Sequence, residues 1–365
     1  MKAIHQFVSG FSNGDAISNE ALYWRRVFRG WGYASDIFCE TRRILREHRR
    51  DVRDLSEARQ ALAPDDIALL HFSIGSPVND LFAELTCEKA LLYHNITPPE
   101  FFHRVNQRTV ALLKEGRRQL RSLADTARVN LAVSRFNAEE LRQAGYPDVR
   151  ALPLTVGFDR LTVPPDPAVL RQFRDGSVNI LFVGRGVPNK KIEDLIEAFD
   201  WFRHTVEPAA RLIHVGSYAG AEPYYTLLAR MARESAPTRI HFAGAICQPQ
   251  LNAFYRCADL FLCMSEHEGF CIPLLESFHC DVPVLAYAAG AVPETLDGAG
   301  VLFREKDGPA VAEMMGELVR NRPLRDAVLD GQRARLARYR ARKPEEDMRA
   351  ALAPLLETEL REASR

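Results

Sequence analysis

Two glutamates, Glu268 and Glu276, lie in the stretch SEHEGFCIPLLESFHC with seven residues between them. Pro273 suits the first position of the helix PLLESF, which sets Glu276 about one turn in and Glu268 in the loop before it. A helix N-terminus with free N–H groups is an anion site, but two carboxylates beside it repel a phosphate. Both demands are met if phosphate takes the backbone while the carboxylates accept hydrogen bonds from vicinal hydroxyls, such as those of ribose and hexose. A second passage, ILFVGRGVPNKKIEDLIEAF, ends an apolar run at Gly184 and puts Arg185 and Lys190 in the loop before a helix. Glycine admits a ligand to the backbone there, and the two cations can bracket a diphosphate. After Gly184 and Gly186 the third glycine of a dinucleotide fingerprint is Asn189, so a dehydrogenase is disfavoured. Lys191 reads as a solvated charge.

The elements that must position these residues follow from periodicity. Short apolar runs alternate with helical patterns, the signature of parallel βαβ units, and 365 residues exceed a typical single core. AIHQFV, ASDIF, IALLHF, ALLYHN and VNLAVS read as strands of a first domain, with Ala21, Trp24, Phe28 and Trp31 on one face of an intervening helix. NILFVG, ARLIHVG, IHFAG, DLFLCMS, VPVLAY and GVLF read as strands of a second. The spacing predicts an α/β chain of two doubly wound, Rossmann-like domains facing across a cleft. The first spans 1–158, a linker 159–176, and the second 177–343. A last helix over 344–365, with Met348, Leu352, Leu355, Leu356 and Leu360 on one face and Pro354 bending it, is expected to pack back on the first domain. Open α/β sheets bind ligands beyond the carboxyl ends of their strands, where both charged passages fall.

Lysine plus arginine and aspartate plus glutamate both number 48, so no global charge argues for nucleic acid. The beginning, MKAIHQFVSGFSNGD, lacks the apolar run of a signal peptide, and no segment approaches the ~18 apolar residues of a membrane span. The expected location is the cytoplasm. Seven cysteines, odd in number and without a C-x-x-C pair, read as small buried hydrophobes of a reducing compartment. The stretch 102–122 carries Arg104, Arg108, Lys114, Arg117, Arg118 and Arg121 against Glu115. It reads as a solvated helix face or as a peripheral contact with anionic lipid at the inner face of the membrane.

VGRGVPNKKIEDLIEAF and IHFAGAICQPQLNAFYRCADLFLCMSEHEGFCIPLLESFHCDVPVLAYAAGAVPE, in that order, resemble the nucleotide-sugar domain of the family-4 retaining glycosyltransferases of GT-B fold. The resemblance is dense over roughly residues 177 to 310, and VSRFNAEELRQAGYPDVRALPLTVGFD resembles the family's passage into its linker. It implies that Arg185 and Lys190 hold the donor diphosphate and that Glu276 binds the nucleotide ribose. It further implies that Glu268 contacts the donor sugar, that Gly269, Phe270 and Cys271 offer backbone N–H groups, and that the backbone of Ala245 and Ile246 meets the base. No D-x-D motif occurs in the chain, and the resemblance implies no metal and no cofactor beyond the nucleotide sugar.

In the first half the match is looser. His94, directly after LLY, stands where the family places a histidine on the reacting sugar, whereas His71 reads as structural. Gly14 falls in the first strand–helix turn as a donor-side glycine, and Asp15 either binds an acceptor hydroxyl or caps the helix with Ser18. The implied activity is transfer of a hexose, with retention, from a nucleotide-diphosphate sugar to a saccharide or lipid-linked saccharide in glycan biosynthesis. A nucleotide-sugar epimerase or hydrolase and a non-catalytic nucleotide-sugar binder are the alternatives. A glycosidase built on Glu268 and Glu276 is disfavoured, because that chemistry needs no diphosphate site.

Overall fold

The computed structural model describes residues 2–12 and 14–356. The chain divides into two compact units. The first is made from the described residues of Met1–Glu100, Arg108–Thr155 and Lys343–Arg365, the second from Phe101–Gln107 and Val156–Arg342.

The first unit is built on a seven-stranded sheet of β1 (Ile4–Val8), β2 (Ile37–Cys39), β3 (Arg53–Asp54), β4 (Ile67–Phe72), β5 (Glu88–Tyr93), β6 (Val129–Ala132) and β7 (Arg150–Ala151). The strands run parallel in the order β3-β2-β1-β4-β5-β6-β7. Its central strands are wholly buried, as a sheet covered on both faces requires. The helix Ala16–Gly30 buries Ala21, Trp24 and Phe28, and also Glu20, whose carboxylate takes the Trp24 indole N–H at 2.7 Å and the Thr155 N–H at 3.0 Å.

The second unit carries β8 (Asn179–Val183), β9 (Arg211–Val215), β10 (Ile240–Gly244), β11 (Leu260–Cys263), β12 (Val284–Tyr287) and β13 (Val301–Phe303). They are parallel in the order β10-β9-β8-β11-β12-β13. In both sheets the order reverses once, between β1 and β4 and between β8 and β11, and loops at such a point diverge to leave a binding crevice.

Two features depart from the sequence expectation, and the last helix lies where it was expected. The short edge strands β3 and β7 have too few apolar residues to show periodicity. Residues 159–176 are packed structure of the second unit: the helix Pro167–Phe173 buries Phe173, whose ring meets Phe254 and His241 edge-on at 5.1 and 5.0 Å. The helix Pro344–Leu356 buries Met348, Ala351, Leu352 and Leu355 on the β5 and β6 side of the first unit. Leu360 and the rest of the expected helix lie outside the described residues. No described helix is long and apolar enough to cross a membrane.

Gln332, fully buried on the helix Arg322–Arg340, accepts from Val284 N at 2.8 Å and donates to Val282 O at 2.9 Å. It fixes that helix to the start of β12. Replacing it by leucine leaves two buried backbone groups unpaired, at about 1–3 kcal/mol each. The Gln332→Leu variant is expected to show a lower denaturant midpoint, and an unchanged midpoint would refute the role.

Candidate functional site

β8 and β11 are neighbours, with Ile180 opposite Leu260 and Leu181 opposite Phe261, so the loops leaving their carboxyl ends must meet. They are joined by several bonds. Lys190 Nζ lies 2.7 Å from Glu268 Oε1, Asn189 Nδ2 donates to His267 O at 3.0 Å, and Glu266 N donates to Asn189 O at 2.9 Å. Lys306 Nζ reaches Glu266 at 2.8 Å, and Lys191 Nζ stands 3.6 Å from the same carboxylate. Lys191 is therefore not a free surface charge. It adopts a left-handed conformation, φ 52°, as the residue that opens the helix Ile192–Thr205.

The Lys190–Glu268 pair is largely withdrawn from water, Glu268 being 6% exposed. Burial lowers the Lys190 pKa, and the Glu268 carboxylate together with the neighbouring Cys271 and Cys263 thiols outweighs it and holds the ammonium above its ordinary value. Arg185 differs: it is exposed, with one long hydrogen bond, 3.5 Å to Ala219 O.

Close backbone approaches shape the rest of the loop pair. A side chain on Gly290, whose φ is +55°, would put its Cβ 2.6 Å from Glu268 O, and Ala291 N already donates to that carbonyl at 2.9 Å. A Cβ at Gly216 would collide with Gly184 O, and one at Gly186 with the Tyr218 ring. The glycine requirement in the first loop therefore rests more on Gly186 and Gly216 than on Gly184. His214 Nε2 meets Gly184 O at 2.9 Å, and its Nδ1 meets the Tyr218 hydroxyl. Burial depresses the His214 pKa to about 4, so this brace is neutral.

Glu276 is 3% exposed on the helix Ile272–His279. One oxygen is paired with Arg160, and the other accepts from Tyr255 Oη at 2.7 Å. Burial, reinforced by the Glu276 carboxylate, pushes the Tyr255 phenol well above its ordinary value, so it stays a donor. Sequence reasoning missed both partners: Arg160 lay in the supposed linker and Tyr255 resembled an apolar helix position. Cys271 precedes the helix at φ 72°, and Phe270 is buried while Gly269 is half-buried. Ala245 is exposed and Ile246 half-buried after β10, at the sheet edge and two strands from β8.

In the first unit, Gln6, His71 and His94 form a chain. Gln6 Nε2 donates to Ala21 O at 3.0 Å, which leaves Gln6 Oε1 to accept from His71 Nε2 at 2.9 Å. His71 Nδ1 must then accept from His94 Nε2, 2.9 Å away. The network assigns His94 the Nε2–H tautomer and leaves its Nδ1 a buried acceptor without a partner among the described residues. Asp15 caps its helix, accepting from Ser18 N and Ser18 Oγ at 2.8 Å each, and Gly14 sits beside it at φ +69°.

In the basic stretch the helix Gln107–Ser122 turns Val110, Leu113 and Leu120 inward. Arg117 is spent on Glu140 and Ile96 O, and Arg118 on Glu115. Its apolar face is consumed by the core, and Arg104, Arg108, Lys114 and Arg121 remain exposed.

Burial lowers the His71 pKa from the ordinary 6.5 to about 3, so the unfolded chain binds this proton first. The contribution of neutral His71 is full above about pH 6.5 and falls as pH drops toward about 3. Denaturant unfolding between those limits should show a shallower pH slope for His71→Asn than for the wild type. Parallel slopes would show that His71 is not buried neutral.

The family model "Glycosyl transferases group 1" matches residues 171–335. The chain is 30% identical over 224 residues to a GDP-mannose-dependent alpha-(1-6)-phosphatidylinositol monomannoside mannosyltransferase of Mycolicibacterium smegmatis, covering 57% of each chain. It is 28% identical over 203 residues to O-antigen chain mannosyltransferase B of Escherichia coli, covering 53% of this chain and 52% of that protein. These matches span little more than half the length of the curated relatives. Among solved structures, Anabaena HepE in complex with UDP-glucose superposes with a TM-score of 0.74 at 16% identity, covering 98% of this chain and 100% of that one. WaaG, a glycosyltransferase involved in lipopolysaccharide biosynthesis, gives 0.68 at 14% identity, covering 96% and 99%. The fold is therefore that of the GT-B glycosyltransferases.

Proposed function

We propose, from the match of residues 171–335 to the glycosyl transferases group 1 model, that the chain transfers a hexose from a nucleotide-diphosphate sugar to a saccharide or lipid-linked saccharide, with retention at the anomeric carbon. The observation that carries this reading is the joined pair of loops at the β8/β11 switch point, where Lys190 and Glu268 are held against each other at 2.7 Å. In the proposed complex Lys190 and the exposed Arg185 meet the diphosphate, whose negative charge grows as the glycosidic bond breaks. Lys190 uses one of the lone-pair directions of Glu268, and the others serve the hydroxyls of the donor sugar. Glu276, oriented by Arg160 and Tyr255, takes the ribose hydroxyls in the same way. Backbone N–H groups at Gly269, Phe270 and Cys271 serve sugar or phosphate, and those of Ala245 and Ile246 the base.

On the first unit His94, directly after β5, is proposed to serve the reacting sugar. Gly14 belongs to the donor side of the same proposal, and Asp15 keeps its cap. No side chain is assigned as nucleophile; the departing phosphate takes the acceptor proton in a front-face displacement. Relatives named for GDP-mannose make it the first donor to try, and UDP-glucose, held by a structural neighbour, the second. For a lipid-linked acceptor, peripheral contact would run through the exposed cations of 102–122 by charge alone, because the apolar face of that helix is inside the protein.

Incubation of each donor with and without acceptor, followed by NMR, should show sugar leaving the nucleotide only when acceptor is present. Turnover of donor alone would point to a hydrolase or epimerase. Arg185→Ala and Lys190→Ala should each reduce transfer by about 10²–10³-fold. Rates equal to wild type would remove the two cations from the mechanism.

A further inference from the structure

Beneath the Lys190–Glu268 pair lies a group of side chains that sugar transfer leaves unexplained. Cys263, the last residue of β11, is fully buried, and Cys271 is 7% exposed. Their thiol sulfurs and a Glu268 carboxylate oxygen all lie within 4.8 Å of one another. Cys271 holds φ 72°, ψ 67°, a left-handed conformation that glycine adopts without strain and a cysteine adopts at a cost. In the metal-free protein the Cys271 thiol is hydrogen-bonded to the Cys263 thiol, so the two sulfurs already face each other. Ser265, two residues after Cys263, is also fully buried and stands beside the Cys263 thiol.

We propose that Cys263, Cys271 and Glu268 form a binding site for a thiophilic divalent cation of the zinc class. Two sulfurs and one carboxylate oxygen are a donor set that soft and borderline ions take in preference to magnesium or calcium. Bond lengths of about 2.3 Å to sulfur and 2.0–2.2 Å to oxygen put the donors of a tetrahedral ion roughly 3.6–3.8 Å apart. Donors already within 4.8 Å of one another reach that spacing by side-chain adjustment, with the fourth position left to water or the Ser265 hydroxyl. Binding releases two thiol protons to solvent and involves no change of oxidation state. Two thiolates and a carboxylate around a divalent ion carry one net negative charge, and the neighbouring Lys190 ammonium neutralises it. The ion draws Glu268 away from Lys190. On the transferase reading, the site is thus one at which a thiophilic ion competes with the donor sugar.

Cadmium reports on the site directly through thiolate-to-metal charge-transfer absorbance, a readout independent of nucleotide binding and therefore of the proposed transfer. The full chain is titrated with Cd²⁺ as wild type, Cys263→Ala, Cys271→Gly and Cys247→Ala, the last removing an exposed thiol on a different loop. The expected result is one saturating equivalent in the wild type and in Cys247→Ala, with affinity at least about tenfold weaker in both Cys263→Ala and Cys271→Gly. Cys271→Gly also relieves the left-handed backbone, and a denaturant midpoint equal to wild type separates its loss of signal from misfolding. Absence of a charge-transfer band in the wild type, or retention of wild-type affinity in either of those two variants, overturns the proposal.

Discussion

A lysine ammonium and a glutamate carboxylate that share a largely dry space are each expensive to bury, and neither is stable there without the other. Lys190 and Glu268 satisfy that condition at 2.7 Å, and much of the second unit can be understood as what keeps them together. The reversal of strand order brings β8 beside β11, so the loops carrying the two residues start from adjacent positions. Asn189 then bonds the backbone of the opposite loop in both directions, through its side chain to His267 O and through its carbonyl from Glu266 N. Glu266 gathers Lys191 and Lys306, and Gly290 lets a third loop lie against the Glu268 backbone. Removing one member of the pair would leave the other charged and unpaired.

Much of this was legible from residue types. Glu268, Glu276, Arg185 and Lys190 stood out because they fall in the loops after β8 and β11 or in the first turns of the helix that follows, where open α/β sheets bind ligands. What the spacing could not show was that Lys190 and Glu268, 78 residues apart, are partners, because only the strand order makes them so. Asn189 illustrates the same limit. It appeared as the residue that breaks a glycine fingerprint, whereas it is a buried bridge between loops. Arg160 and Tyr255 were missed because a residue that orients a carboxylate carries no local signature, and His214 because it lies within an apolar run.

The first unit follows a different logic. His71 is the penultimate residue of β4 and His94 directly follows β5, and the chain from Gln6 through His71 fixes one tautomer without any charged group. The basic stretch, conspicuous in sequence as charge, is in the structure an ordinary packed helix with part of its charge neutralised by Glu140 and Glu115. A count of like charges could not show this, because the compensating carboxylate of Glu140 lies on another helix.

The claim on which the whole account rests is that the joined loops of the second unit are a nucleoside-diphosphate site centred on Lys190. Calorimetric titration of wild type and Lys190→Met with GDP and with UDP measures this without knowledge of the acceptor. The account predicts one binding site in the wild type for at least one of the two nucleotides, and affinity at least about tenfold weaker in Lys190→Met, the worth of one charge-assisted hydrogen bond. Equal affinity in the two proteins, or no binding of either nucleotide to the wild type, would contradict it.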